Sequence, residues 1–152
     1  MEKTKQKISS SQFLNKPKQE LTAWLETLDQ IILLYETDIQ GRITNVNDQL
    51  QKVSQYRRNE LVGSPCHILR HYEMPKALFK SLWQTISTGN SFKGVVKNRK
   101  KDGTAFWVEL AIVPVKDADN IIVKYVCASS LIHEERVGIE LYMTQMKTLG
   151  LP

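Results

Sequence analysis

Residues 91–130 read SFKGVVKNRK KDGTAFWVEL AIVPVKDADN IIVKYVCASS, and this stretch decides the fold. Apolar and polar side chains alternate along most of it, as they do in strands with one buried face. Turn-forming residues interrupt the alternation at 101–103 and again at 116–120. The pattern therefore predicts three successive antiparallel strands over 91–100, 104–115 and 121–130.

The residues before this stretch add two strands and a run of helices. Apolar residues predict one strand over 31–37 and a second over 42–46. Asn47 is placed to cap the first helix that follows. A longer helix is expected to begin at Pro75 and to end at Gly89. These elements predict an α+β fold, in which helices cover one face of a five-stranded antiparallel sheet.

The chain divides into four segments. Residues 1–16 are mostly polar and are expected to form a flexible lead-in. Residues 17–30 predict an amphipathic flanking helix, residues 31–131 the folded domain, and residues 132–152 a C-terminal helix. The apolar stripes of the two flanking helices contain Leu21, Trp24, Leu25 and Leu28 in the first and Ile139, Tyr142, Met146 and Leu149 in the second.

Composition argues against several classes of protein. The net charge of +5 is spread along the chain among acidic residues, which favours a solvated surface over a nucleic-acid partner. No apolar run reaches the roughly 20 residues of a membrane helix, so direct membrane insertion is not expected. Cys66 and Cys127 belong to no metal motif, and His67 and His71 lack a third acidic ligand, which favours a reduced cytoplasmic protein without a metal site. Hydrolase, kinase and metalloprotease motifs are absent, so an enzyme is not expected.

Strand alternation assigns polar side chains to the inner face of the sheet. Phe92 and Asn98 share the inner face of the third strand, Phe106 belongs to that of the fourth strand and Ser129 to that of the fifth. A buried amide without a partner costs about 1–3 kcal/mol, so Asn98 requires a group that donates or accepts a hydrogen bond. A planar heterocyclic ligand, a neighbouring backbone group or an ordered water each meets this requirement.

Several motifs resemble the PAS family over residues 31–130. The PAS pattern is matched, in the same order, by DIQGRIT at 38–44, by Asn47 and by ELVG at 60–63. HILRHYEMPKALF at 67–79 and GVVKNRKKDG at 94–103 are similar to the sensory domain of bacterial aerotaxis receptors. This resemblance implies a PAS sensor domain that binds FAD non-covalently. It also implies that the domain reports redox state or oxygen to a chemotaxis signalling module in the same or another chain, with residues 132–152 as a signalling helix.

The resemblance also implies roles for individual residues. Asn98 matches the amide that contacts the isoalloxazine edge of the flavin. Trp83 matches a tryptophan beside the cofactor, and an ordinary core aromatic residue is the alternative. Arg70 and His71 match a pair that meets phosphate or ribose, and tethering of their loop is the alternative. Phe92 replaces a tryptophan, so it keeps a ring for stacking but lacks the indole donor.

Phe106 and Ser129, on the inner face, complete the predicted cofactor-binding set.

A second resemblance concerns light-sensing LOV domains, because GSPCHILR at 63–70 aligns with the stretch that holds their adduct-forming cysteine. Cys66 stands at that position, yet Val108 and Ser129 replace two of the flavin-binding amides, so Cys66 is predicted to be a packed thiol.

Two alternatives to FAD remain at this point. Haem is another cofactor of PAS domains, with His67 or His71 as the axial ligand. The other is a PAS module without flavin, with an empty pocket or a small metabolite, that acts in dimerisation and protein–protein signalling.

Trp107 and Glu109 point to the outer face of the predicted sheet, where an exposed tryptophan requires cover. The N-terminal helix is expected to provide it. In similar domains such a helix also builds dimers, which predicts a homodimer through the flanking helices. The alternative is a monomer in which this helix covers its own sheet.

Overall fold

The computed structural model describes residues 12–152, and the chain divides into two compact units, Met1–Ile31 and Ile32–Pro152. In the first unit, residues 12–14 form a helical turn and Lys18–Asp29 forms helix α1, whose first turn is preceded by Pro17. The ring edge of Phe13 meets Trp24 at 5.5 Å. Most of the predicted flexible lead-in lies outside the described residues.

The second unit contains one five-stranded antiparallel sheet, which confirms the predicted α+β fold. Its strands are β1 (Leu33–Thr37), β2 (Ile43–Val46), β3 (Phe92–Arg99), β4 (Ala105–Lys116) and β5 (Ile122–Ile132). They lie in the order β2-β1-β5-β4-β3, so the first hairpin pairs with the last strand of the chain. This order places β3 at one edge of the sheet.

Short helices connect β2 to β3 and cover the inner face of the sheet. They are α2 (Asp48–Ser54), α3 (Arg58–Leu61), a 3-10 turn (Cys66–Leu69) and α4 (Lys76–Ser87). Helix α4 follows Pro75 and ends before Gly89, as predicted. Its buried residues Leu78, Leu82 and Ile86 recur at four-residue intervals, so one face of the helix enters the core.

Asn47 caps α2 and also ties it to β1. Its side-chain oxygen accepts hydrogen bonds from the backbone N–H groups of Leu50 and Leu34, each at 3.0 Å, and its side-chain nitrogen donates to the Ile32 carbonyl at 2.8 Å. The predicted cap is therefore confirmed, and the same amide holds the start of the first strand.

Helix α5 (Glu135–Thr148) packs on the outer face of the sheet. Trp107 is only 6% exposed, because Gly138 lies against its ring and the ring of Tyr142 lies 5.7 Å away. The expectation that the N-terminal helix covers Trp107 is therefore wrong, since α5 provides this cover. The predicted stripe of α5 is also partly wrong, because Ile139 and Leu149 are exposed and Gly138 joins Met146 in the core.

The side chain of Gln145 attaches α5 to the edge strand. Its oxygen accepts from the Val95 N–H at 2.6 Å, and its nitrogen donates to the Val95 carbonyl at 2.9 Å. Edge strands leave such groups unpaired, so this amide replaces part of a missing neighbouring strand. A side chain at position 94 would collide with it, because a Cβ on Gly94 would lie 2.6 Å from the Gln145 oxygen.

No helix within residues 12–152 is long and apolar enough to cross a membrane. The same residues contain no cluster of three or more histidine, cysteine or acidic side chains that would hold a metal ion.

Candidate functional site

A small cavity of about 60 Å³ lies between the inner face of the sheet and the helices that cover it. Its walls come from β1, β3, β4 and β5 on one side and from the 3-10 turn and α4 on the other. The lining residues are Tyr35, Thr37, Cys66, His67, Leu69, Arg70, Phe79, Leu82, Trp83, Ile86, Val96, Asn98, Leu110, Ile112, Tyr125, Cys127 and Ser129. Most of these side chains are apolar, so each polar group among them needs an explanation.

Arg70 brings a positive charge to the cavity wall. Its guanidinium carbon lies 3.5 Å from the centre of the Phe79 ring, which is a cation–π contact. Its Nε is buried and has no hydrogen-bond partner within residues 12–152. Burial lowers the pKa of Arg70, but a guanidinium remains protonated at neutral pH. The wall therefore holds a cationic donor that lacks an acceptor.

Asn98 faces the cavity from β3, as the alternation of the strand predicts. Its backbone forms an isolated bridge with Arg70, which brings the two polar side chains to the same side of the cavity. The Asn98 side-chain amide makes no hydrogen bond to another residue in the described part of the chain. One amide donor and one acceptor are thus available beside the guanidinium.

Trp83 lines the cavity from α4 and meets Tyr125 edge to face, with ring centres 5.6 Å apart. Gly41 makes room for this ring. A Cβ there would lie 2.9 Å from Trp83 Cζ2, and Gly41 has a φ of +84°, which side chains rarely adopt. The glycine of the β1–β2 turn therefore positions the tryptophan.

Two thiols and two phenols line the cavity, with Tyr35, Tyr125 and Cys127 on the sheet side and Cys66 in the 3-10 turn. Burial raises the pKa of Tyr35 well above its ordinary value, and burial raises the pKa of Cys127 to about 11. Burial also raises the pKa of the Cys66 thiol. All three groups are therefore neutral near pH 7, and no carboxylate among the lining residues offsets the charge of Arg70.

The structure brings together Arg70, Trp83, Asn98 and Ser129 among the predicted site residues. It places Phe92, Phe106 and His71 outside the cavity wall. Phe92 packs beside Gly94 at the start of β3, and Phe106 lies at the start of β4. His71 is buried beneath Tyr72, where its ring is stacked at 4.4 Å.

His71 acts as a tether of the loop that follows Arg70. Its backbone N–H donates to the Lys97 carbonyl at 3.3 Å, and the Nδ1 of its ring accepts from the Glu73 backbone N–H at 3.1 Å. Burial and then the charge of Lys97 lower the pKa of His71, so the ring is neutral near pH 7. Glu73 in turn pairs with Lys97 at 2.7 Å. These contacts agree with the tethering alternative.

Sequence reasoning missed Tyr35, Phe79 and Tyr125 as cavity residues. Tyr35 and Tyr125 are on the inner faces of their strands by the same alternation that identified Asn98, so this signal was available. Phe79 follows Leu78 on α4, and helical periodicity alone does not show that its ring supports Arg70.

Comparison with known proteins adds an independent observation. A family profile described as the PAS fold matches residues 19–130. The aerotaxis receptor of Escherichia coli K12 is 42% identical over 87 residues, which cover 57% of this chain and 17% of the receptor. The biofilm dispersion protein BdlA of Pseudomonas aeruginosa is 27% identical over 73% of this chain and 28% of that protein. The chain thus spans well under a third of these two relatives.

Solved structures show the same fold. The dark structure of the blue-light photoreceptor Aureochrome1 LOV superposes with a TM-score of 0.70 and 22% identity, covering 86% of this chain and 94% of the other. A PAS domain from Colwellia psychrerythraea superposes with a TM-score of 0.66 and 19% identity, covering 74% of this chain and 96% of the other.

Proposed function

This chain belongs to the PAS family, and we propose that it is the sensory input domain of a bacterial chemotaxis or signal-transduction receptor that binds FAD. In this proposal the domain reports redox state or oxygen to a downstream signalling domain. The observation that carries the proposal is the unpaired Arg70 Nε beside the available Asn98 amide in one apolar cavity. The 42% identity to the aerotaxis receptor supports redox state or oxygen as the stimulus.

The residues that line the cavity are chemically suited to binding a flavin. Apolar side chains such as Leu110 and Ile112 suit a planar ring, Asn98 suits its polar edge, and Arg70 suits a phosphate or a ring oxygen. The present volume of about 60 Å³ is far below the roughly 300–1,000 Å³ of typical ligand pockets. Entry of a flavin therefore requires side chains of the cavity wall to move apart.

Asn98 is the residue that we expect to sense the state of the ligand. A bound flavin supplies reversible redox chemistry, in which its ring gains or loses protons together with electrons. The Asn98 amide both donates and accepts hydrogen bonds, so it adjusts when the polar edge of the ring changes. Asn98 and Val95 lie on the same strand, and Val95 is bonded to Gln145 of α5. A shift of β3 is therefore passed to the C-terminal helix.

Replacing Asn98 with alanine is expected to weaken FAD binding about tenfold, because the loss of one buried hydrogen bond costs about 1–1.5 kcal/mol. The measurement is the flavin absorbance per protein after purification and the dissociation constant after reconstitution. Asn59→Ala on exposed α3 is the matched control. Equal FAD affinity of the Asn98→Ala variant and the parent would reject the assigned role.

A PAS module without flavin is the second candidate, and the small volume of the cavity favours it. Arg70, Phe79 and Trp83 already fill much of the space between α4 and the sheet. In this alternative the domain acts in dimerisation and protein–protein signalling. A colourless protein that takes up neither FAD nor FMN on reconstitution supports it and rejects the flavin proposal, whereas a Soret band indicates haem.

We also propose a homodimer that forms through α1. Trp24, Leu25 and Leu28 are 45%, 62% and 39% exposed on one side of this helix. Leu25→Glu is expected to raise the dissociation constant of the dimer at least about tenfold, because a charge enters an apolar contact. Sedimentation equilibrium measures the effect, and Ala23→Glu on the opposite side of α1 is the control. A monomeric parent protein contradicts the proposal.

A further inference from the structure

A second concave surface, the groove, is formed where α2 ends, β4 begins, β5 ends and α5 begins. Its volume is about 560 Å³, within the roughly 300–1,000 Å³ of small-molecule pockets. It is thus about nine times as large as the inner cavity, although the groove belongs to no site described above. All of its lining residues belong to the second compact unit.

The groove combines an apolar floor with a cationic rim. Val53, Phe106 and Leu131 contribute to the floor. Lys52 and Lys100 contribute two positive charges, and Glu135 is the acidic side chain among the lining residues of the described chain. Lys52 and Lys100 make no ion pair within residues 12–152, although Lys100, after the hydrogen bonds from Thr104 and Gln55, contributes to the lowered pKa of Asp102. This distribution favours a ligand with an apolar body and one negatively charged end.

Trp107 supplies an independent observation at the same place. It lines the groove and is 6% exposed, and its indole Nε1 is buried without a hydrogen-bond acceptor within residues 12–152. Buried donors in proteins nearly always have an acceptor. Because this Nε1 is fully buried, a ligand in the groove changes its surroundings without contacting it, which makes the Trp107 indole a reporter for the groove.

The wall beside Lys52 and Lys100 is held in place by hydrogen bonds. Gln55, which ends α2, has a left-handed backbone with φ of 66°. Its side chain donates to Asp102 at 3.1 Å and accepts from the Asp102 N–H at 3.2 Å. The Lys101 N–H donates to the Ser54 carbonyl at 2.9 Å. These bonds fix the end of α2 against the β3–β4 turn, so the backbone positions of the two lysines are set before a ligand binds.

We propose that this groove binds a small amphipathic carboxylate, with the carboxylate between Lys52 and Lys100 and the apolar body on Phe106 and Leu131. The proposal does not depend on flavin in the inner cavity. The two sites also differ in the tryptophan that reports on them, because Trp83 lines the cavity and Trp107 lines the groove.

The test uses decanoate as the probe and the indole N–H signals of the three tryptophans as reporters in ¹H–¹⁵N NMR spectra. Trp→Phe variants assign the three signals. Decanoate is expected to shift the Trp107 signal in a saturable manner and to leave Trp83 and Trp24 unchanged. The double variant Lys52→Ser with Lys100→Ser is expected to weaken decanoate binding about tenfold. The matched control, Lys76→Ser with Lys80→Ser, removes the same charge from exposed α4.

Three results would overturn the proposal. Neutral 1-decanol that binds as tightly as decanoate would show that the groove does not recognise the anion. Equal losses in the two double variants would show that only the net charge matters. A shift of Trp83 or Trp24 instead of Trp107 would place the probe in the inner cavity or on α1. Flavin content, measured on the parent and the two double-lysine variants, is expected to be equal.

Discussion

Asn47→Ala is expected to lower the free energy of unfolding by about 2–3 kcal/mol. The substitution removes the N-cap of α2, which contributes about 1 kcal/mol, and it leaves the Leu34 N–H and the Ile32 carbonyl without this partner. Both of those backbone groups lie at the start of β1, which pairs with β2 and β5. One side chain therefore supports a helix and an interior strand of the sheet together.

Asn45→Ala is the control for this prediction, and urea denaturation is the measurement. Asn45 is exposed on β2, and its side chain accepts a hydrogen bond from the next residue of the chain, Val46. We expect its loss to change the free energy of unfolding by less than about 0.5 kcal/mol, as exposed substitutions usually do. Similar losses of unfolding free energy for Asn45→Ala and Asn47→Ala would mean that the amide of Asn47 does not stabilise α2 or β1.

The sequence predicted the elements of the sheet because their signals are local. Alternation identified the three long strands, and it placed Asn98 on the inner face without any structural information. Gly89 and Asn47 marked the end of one helix and the beginning of another, since the backbone geometry of a helix terminus selects these residues. Each of these predictions depends on neighbours in the chain.

Alternation assigned Phe92 and Phe106 to the inner face, but neither side chain belongs to the cavity wall. The alternation gives the face of a strand, but the register between strands and the crossing of α4 decide which part of that face borders the cavity. Phe92 pairs with Ile112 and Phe106 pairs with Asn98, yet only Ile112 and Asn98 line the cavity. These differences arise between distant segments, so no local pattern contains them.

The partner of Trp107 was missed for a related reason. Helix propensity alone predicts that Gly138 weakens the start of the C-terminal helix, because glycine is a poor helix former. In the structure the absence of a side chain at 138 permits α5 to approach Trp107 closely. A contact that depends on the absence of a side chain leaves no apolar signal at that position of the sequence. The neighbouring Ile139 does give an apolar signal, although its side chain is exposed.

Gly138→Val is accordingly expected to displace α5 from the sheet. A Cβ at position 138 would lie 2.5 Å from Trp107 Cγ and 2.7 Å from Cδ2, which are rigid ring atoms. Overpacking of this kind costs about 1–3 kcal/mol, and water reaching the unpaired Trp107 Nε1 recovers part of the loss when the helix leaves. The helix therefore detaches more readily than the sheet unfolds.

Two measurements detect the displacement of α5 from the sheet. The Val95 amide, now bonded to Gln145, is expected to exchange its hydrogen about tenfold faster or more in Gly138→Val, and Trp107 fluorescence is expected to become accessible to a soluble quencher. Met143→Val introduces a β-branched side chain at an exposed position of α5, so it controls for helix propensity. Rapid exchange at Val95 in both variants would attribute the effect to a weaker helix, whereas unchanged exchange in Gly138→Val would show that α5 accommodates the added side chain without leaving β3.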